Sequence, residues 1–288
     1  MKSSKLFVSV FTSVFILALF SFNGYSQDVK FPAPSPSQKI TQAFGVSEIT
    51  IDYSRPSVKG RTIMGELVPY GKIWRTGANN STQITFGDAV KVEGIDIPAG
   101  TYAIYTIPNA NSWDVMLYSD LKLAGNTSEY KPENEVAKFT VTPSSTGKKV
   151  ETFTINIEDI KPTSAKIEMM WENTSVAFNV TTEIDSKIMA GIDASMKSDK
   201  PAYFQAAAYY YENGKDMNKA LEWVNKAIES NDKAFWMMML KSRIQHKMGD
   251  MAGAQASAEK VVSLATDAKN DDYIKMGNAM ISDIKNTK

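Results

Sequence analysis

Two periodicities divide the chain. From about residue 38 to 182, apolar and polar positions alternate. In Glu48–Ser54, Ile49, Ile51 and Tyr53 alternate with Thr50 and Asp52; in Ser81–Phe86, Thr82, Ile84 and Phe86 alternate with Ser81, Gln83 and Thr85. A period of two puts alternate side chains on opposite faces of a strand. Pro98–Ser119 holds two β-rich runs joined by Pro108-Asn109-Ala110-Asn111, a hairpin signal. EVAKFTVTP, KVETFTINIED, AKIEMMWEN and SVAFNVTTE follow, each bounded by Pro, Gly, Ser or Asn. About nine short strands separated by turns predict an all-β, mainly antiparallel sandwich over 38–182.

At Glu183 the period changes. Ile184, Ile188, Ile192 and Met196 recur every four residues, which predicts a connecting amphipathic helix over 183–200. Lys200-Pro201 breaks it, because the residue before proline avoids helical geometry. Beyond it, Lys219–Glu229 and Gly253–Ser263 superpose at an offset of 34, and so do Asp216 and Asp250, each in a Gly-containing turn. That is the period of the tetratricopeptide helix-turn-helix. The expectation is a tetratricopeptide-like helical domain over 201–288. Ala208, Ala220 and Ala254 would sit where helices approach, with Tyr211 and Trp223 filling the gaps. Two units are too few for a free-standing solenoid, so they should pack on a last helix beginning near Asp271.

The N-terminus lies outside both patterns. Lys2 and Lys5 precede the uncharged run Leu6–Phe20, and Gly24-Tyr25-Ser26 places small residues before Gln27. This predicts a signal peptide over 1–26 and a periplasmic or secreted protein. The apolar core is short of the roughly 20 residues that a span needs. No membrane span is expected once the signal is cleaved. Residues 27–37, QDVKFPAPSPS, predict an extended arm.

Composition narrows the chemistry. The 288 residues include no Cys and one His. Thiol catalysis, thiolate metal sites and lipidation at Cys are therefore excluded. The formal net charge is zero, so no global field favours nucleic acid. His246 fits a solvated helix face. A distant carboxylate pair such as Asp52 and Glu168 carries no signature in the sequence. No metal site and no cofactor are expected.

One segment departs from this neutrality. Arg55, Lys59, Arg61, Lys72 and Arg75 face one acid, Glu66, between residues 55 and 75, with Gly60, Gly65 and Gly71 interspersed and Gly77 just beyond. So long a connection between strands is uncommon without a role. The Arg fork suits carboxylate or phosphate. Arg55, Arg61, Trp74, Arg75 and Asn79 are the candidate site for an anionic or polar ligand. The competing expectation is arginines that tie down the loop's own carbonyls. A phosphate loop is excluded, because Gly65–Ile73 has one residue too many and ends on Ile73, where Ser or Thr is required.

Tyr53–Phe86, Ile97–Leu117 and Met169–Val180 together resemble the domain-of-unknown-function family 2911, found mainly in exported Bacteroidota proteins. The resemblance covers roughly Pro36 to Thr182, and its most specific segments are Arg-Pro…Gly-Arg and Trp-Arg-Thr-Gly-Ala-Asn. The tail resembles the tetratricopeptide-like extension of some members. The resemblance implies export and a β domain; it implies no activity and carries over no catalytic residue. The expectation is a non-catalytic binding protein with a small-ligand loop and a helical tail for a protein partner. One alternative is a hydrolase or isomerase using carboxylates or Tyr with the Arg cluster as clamp. Another is a structural loop, with binding through the repeats alone.

Overall fold

The alternating half of the chain forms ten strands: β1 (Ser37–Phe44), β2 (Ser47–Ser54), β3 (Thr82–Phe86), β4 (Val90–Val92), β5 (Ile95–Ile97), β6 (Gly100–Pro108), β7 (Trp113–Tyr118), β8 (Glu135–Val141), β9 (Ser144–Lys161) and β10 (Ser164–Thr181). The computed structural model describes residues 31–286; the leader expected over 1–26, and the start of the arm, lie outside the described residues. One sheet has the order β1-β2-β3-β6-β7-β8 and the other β5-β4-β10-β9. Every pairing is antiparallel. The alternation sets the inner face: Ile49, Ile51 and Ile84 of the larger sheet share one core with Phe153, Ile167 and Phe178 of the smaller.

Two features differ from the pattern-based expectation. AKIEMMWEN and SVAFNV are one strand, β10, which crosses the Asn173 region with register shifts around Glu172. Glu172 has a φ of 54° there, so a bulge absorbs what the polar residues suggest is a break. Tyr102–Thr106 is buried without alternation. The connection 119–134 folds over the outer face of β6 and β7, where Ala103, Tyr105, Met116, Tyr118 and Leu123 form a second core. A strand covered on both faces loses its polar positions.

Residues 182–286 form a separate helical unit. Its helices are α1 (Asp185–Ser195), α2 (Tyr203–Glu212), α3 (Met217–Ser230), α4 (Phe235–Lys247), α5 (Met251–Asp267) and α6 (Asp271–Asn286). The repeated aspartates are N-caps. Asp216 accepts from the amides of Asn218 and Lys219, and Asp250 accepts from that of Gly253. Gly214 and Gly249 take φ of 63° and 83° in the turns before them, a conformation side chains avoid. Ala220 and Ala254 are fully buried between helices, while Ala208 sits at the core edge. The last helix packs on α5, as two short repeats require. His246 is not on a solvated face: its Nε2 is buried without a partner, because α4 packs against both α3 and α5.

Asp185 pins α1 to α2. It accepts from Tyr209 Oη at 2.6 Å and pairs with Lys215 Nζ at 2.6 Å. The Lys215 bond, and then the Tyr209 bond, hold its carboxyl below the ordinary 3.8. A depressed carboxylate lends its stability above the unfolded value and loses it as pH falls through the folded one. The helical unit should therefore weaken below about pH 4, and Asp185→Asn should remove part of that acid dependence. Thermal melts across pH check this; an unchanged acid limb in the variant would refute it.

Candidate functional site

The connection between β2 and β3 has little regular structure, yet it is anchored along its length. Its apolar residues Val58, Ile63 and Val68 enter the main core, and Trp74 packs against it. Its backbone bridges to β9 at Ser57–Thr152 and to β6 at Trp74–Thr106. Phe153 N donates to Pro56 O, and Gly71 N donates to Pro108 O. Two carboxylates from the smaller sheet serve loop amides: Glu151 accepts from Lys59 N and Glu172 from Ile63 N. The segment is a belt running from one sheet to the other.

Four of the five candidate residues are committed to this belt. Arg55 donates through Nε to Phe153 O at 3.0 Å and through Nη2 to Thr154 Oγ1 at 2.7 Å. Arg61 turns back on its own loop, donating to the carbonyls of Val58 and Ser57. Asn79, at φ 58°, donates to Ser35 O and Ser54 Oγ. Trp74 stacks on Trp171 with centroids 5.8 Å apart, and its Nε1 donates to Gly77 O. Their partners differ, and the five side chains do not share one set of contacts.

Arg75 is the exception. Trp74 points to the core, so its neighbour points to the outer face of the larger sheet. The guanidinium makes no hydrogen bond or ion pair among the described residues, and its Nε is buried. Register brings Ser81 beside it: Thr82 pairs with Ile104, so Ser81 stands opposite Tyr105. Ser81 is 3% exposed and its hydroxyl has no well-directed partner. Tyr105 donates to Ala124 O at 2.7 Å. Burial pushes its phenol up, and the Ser81 hydroxyl and the Arg75 charge oppose that rise. Gly125 roofs the group; a Cβ there would lie 3.0 Å from Arg75 Nη1.

The turn that aims Arg75 is strained. Thr76 is fully buried at φ 55°, which a β-branched residue seldom adopts. It is held by its backbone, because Thr82 Oγ1 donates to Thr76 O, and by contact between its hydroxyl and that of Thr106. Gly77 is required: a Cβ would meet Ser54 O at 3.1 Å.

Ser81 and Tyr105 were not legible as site residues. The strand pattern fixes that Ser81 faces away from Ile84, but not that residues 119–134 return to cover it. Asp52 and Glu168 stand on strands of different sheets, and Glu168 accepts from Ser175. Among the described residues, no cluster of His, Asp and Glu could hold a metal, and no helix is long and apolar enough to cross a membrane.

A family model described as protein of unknown function (DUF2911) matches residues 35–180. A tetratricopeptide-repeat model matches residues 201–233 and 237–267. No curated protein matches. Among solved structures, the solution structure of protein BPP2914 from Bordetella parapertussis is similar at 14% identity, covering 37% of this chain and 91% of that one, with a TM-score of 0.32.

Proposed function

The chain belongs to the DUF2911 family, and on that premise we propose that it is an exported, non-catalytic binding protein whose helical hairpins dock a protein partner. The tandem tetratricopeptide repeats carry this reading. Helical hairpins of this type are stacked to present side chains to other chains. Here α4 leaves Trp236 37% exposed beside Phe235, whose ring meets Tyr273 of α6. An exposed aromatic on a rigid helix is the kind of anchor that dominates interface energetics. The leader-like N-terminus supports an address outside the cytoplasm. The belt of the β unit offers a polar or anionic ligand one contact with free donors, at Arg75.

The test is isolation of cross-linked protein from its own cells. The mature chain should begin at Gln27, be found in the periplasmic or extracellular fraction, and retain one protein in fixed stoichiometry. Trp236→Glu should lose that protein without loss of helical circular dichroism. A cytoplasmic chain, or one that remains alone after cross-linking, would overturn the proposal.

A further inference from the structure

We propose that Arg75 and Ser81 form a receptor for the carboxylate group of a small ligand, on the outer face of the larger sheet. This rests on the reading that the belt contacts a ligand, and it narrows that reading to one pair of residues and one chemistry.

The first observation is an unspent guanidinium. Every other arginine of the belt donates to a carbonyl or hydroxyl, whereas Arg75 donates to none. A buried donor without a partner costs about 1–3 kcal/mol, and more when charged. Native structures hold few of them. The buried Nε and its neighbouring Nη form the edge that takes a carboxylate through two parallel bonds.

The second observation is independent of the first. Ser81 is buried on the same face beside the Tyr105 phenol, and its hydroxyl, without a well-directed partner, can donate to the same oxygen set. Ala124 O beside the site already takes the Tyr105 proton. Ser81 also borders a polar cleft of about 160 Å³ with Ser37, Ser54, Asn80 and Gln83. Two acids bear on the site. Asp52 lines that cleft, and Asp120 acts on Tyr105 while accepting from Lys122 N. Neither lies within ion-pair distance of Arg75. Their charges repel a doubly charged phosphate more than a singly charged carboxylate, so the pair favours the carboxylate.

The experiment is titration of the full mature chain, followed through its arginine Nε–H and backbone amide resonances. The probes are sodium acetate, inorganic phosphate and methyl glucoside, with sodium chloride as the ionic-strength control. Acetate should shift the Arg75 Nε–H and Gly125 amide signals saturably. Arg75→Gln should weaken the Gly125 response about tenfold or more, and Ser81→Ala several-fold. Ser81→Ala removes a single oxygen and keeps the test valid if Arg75→Gln unfolds. No saturation by acetate, saturation by phosphate alone, or an unaltered response in both variants would overturn the assignment. Saturation by the glucoside alone would also overturn it, while leaving the broader ligand reading standing; silence toward all probes would remove both.

Discussion

Replacing Trp74 with alanine is expected to destabilise the β unit by about 3–5 kcal/mol, the usual cost of deleting a packed indole. The ring stacks on Trp171 and meets Trp113 and Phe153 edge-on, at 6.2 and 5.3 Å between centroids. Those neighbours come from β10, β7 and β9, so the cavity left behind would be bounded by both sheets. Its surroundings are large, rigid rings that cannot collapse inward, which places the cost toward the upper end of the range. Loss of the Nε1 bond leaves Gly77 O without that donor. At 2–4 °C per kcal/mol for a unit of this size, the melting temperature should fall by roughly 10–20 °C. Trp74→Phe should lose appreciably less, since it keeps a ring. Denaturant unfolding followed by tryptophan fluorescence measures both. A loss under about 1 kcal/mol for Trp74→Ala would mean that the indole serves a ligand more than the core.

A leucine at Gly277 is expected to weaken the helical unit by about 2–3 kcal/mol through overpacking. Gly277 is buried where α6 crosses α5, and a Cβ there would lie 2.7 Å from Val262 Cγ2 and 3.3 Å from Ala258 O. The valine methyl can move, but the carbonyl belongs to α5 and cannot. Helix propensity works the other way, because leaving glycine gains about 1 kcal/mol. Gly277→Ala should thus be close to neutral, whereas Gly277→Leu must push α6 away. The Phe235–Tyr273 contact joins α4 to α6, so the same change should displace the aromatic surface around Trp236 and weaken partner retention. Thermal melts of the two variants, with cross-linked isolation alongside, separate these effects. Equal stability of Gly277→Leu and the native chain would show that α6 is not held against α5 in solution.

Much of the architecture was open to sequence reasoning because it is local. Alternation at Ile49, Ile51 and Tyr53 is a property of adjacent residues, and it assigns their faces wherever the strand is placed. The aspartates at 216 and 250 announce themselves through composition and offset, since a cap acts on amides two and three residues away. The strand break at Asn173 misled because a bulge and a break show the same polar residues. His246 misled because exposure of a helix face depends on which helices pack around it.

The candidate site divides along the same line. The chain by itself determined that a basic, glycine-rich connection lies between two strands and that the tail repeats every 34 residues. Only the tertiary structure decided which donors are already satisfied. Arg55 is occupied by a carbonyl 98 residues away, at Phe153, whereas Arg75 lies under the roof brought over it by residues 119–134 and donates to no partner among the described residues. Two arginines of one loop are equivalent in the sequence. Long-range hydrogen bonding makes one of them part of the scaffold and leaves the donors of the other uncommitted.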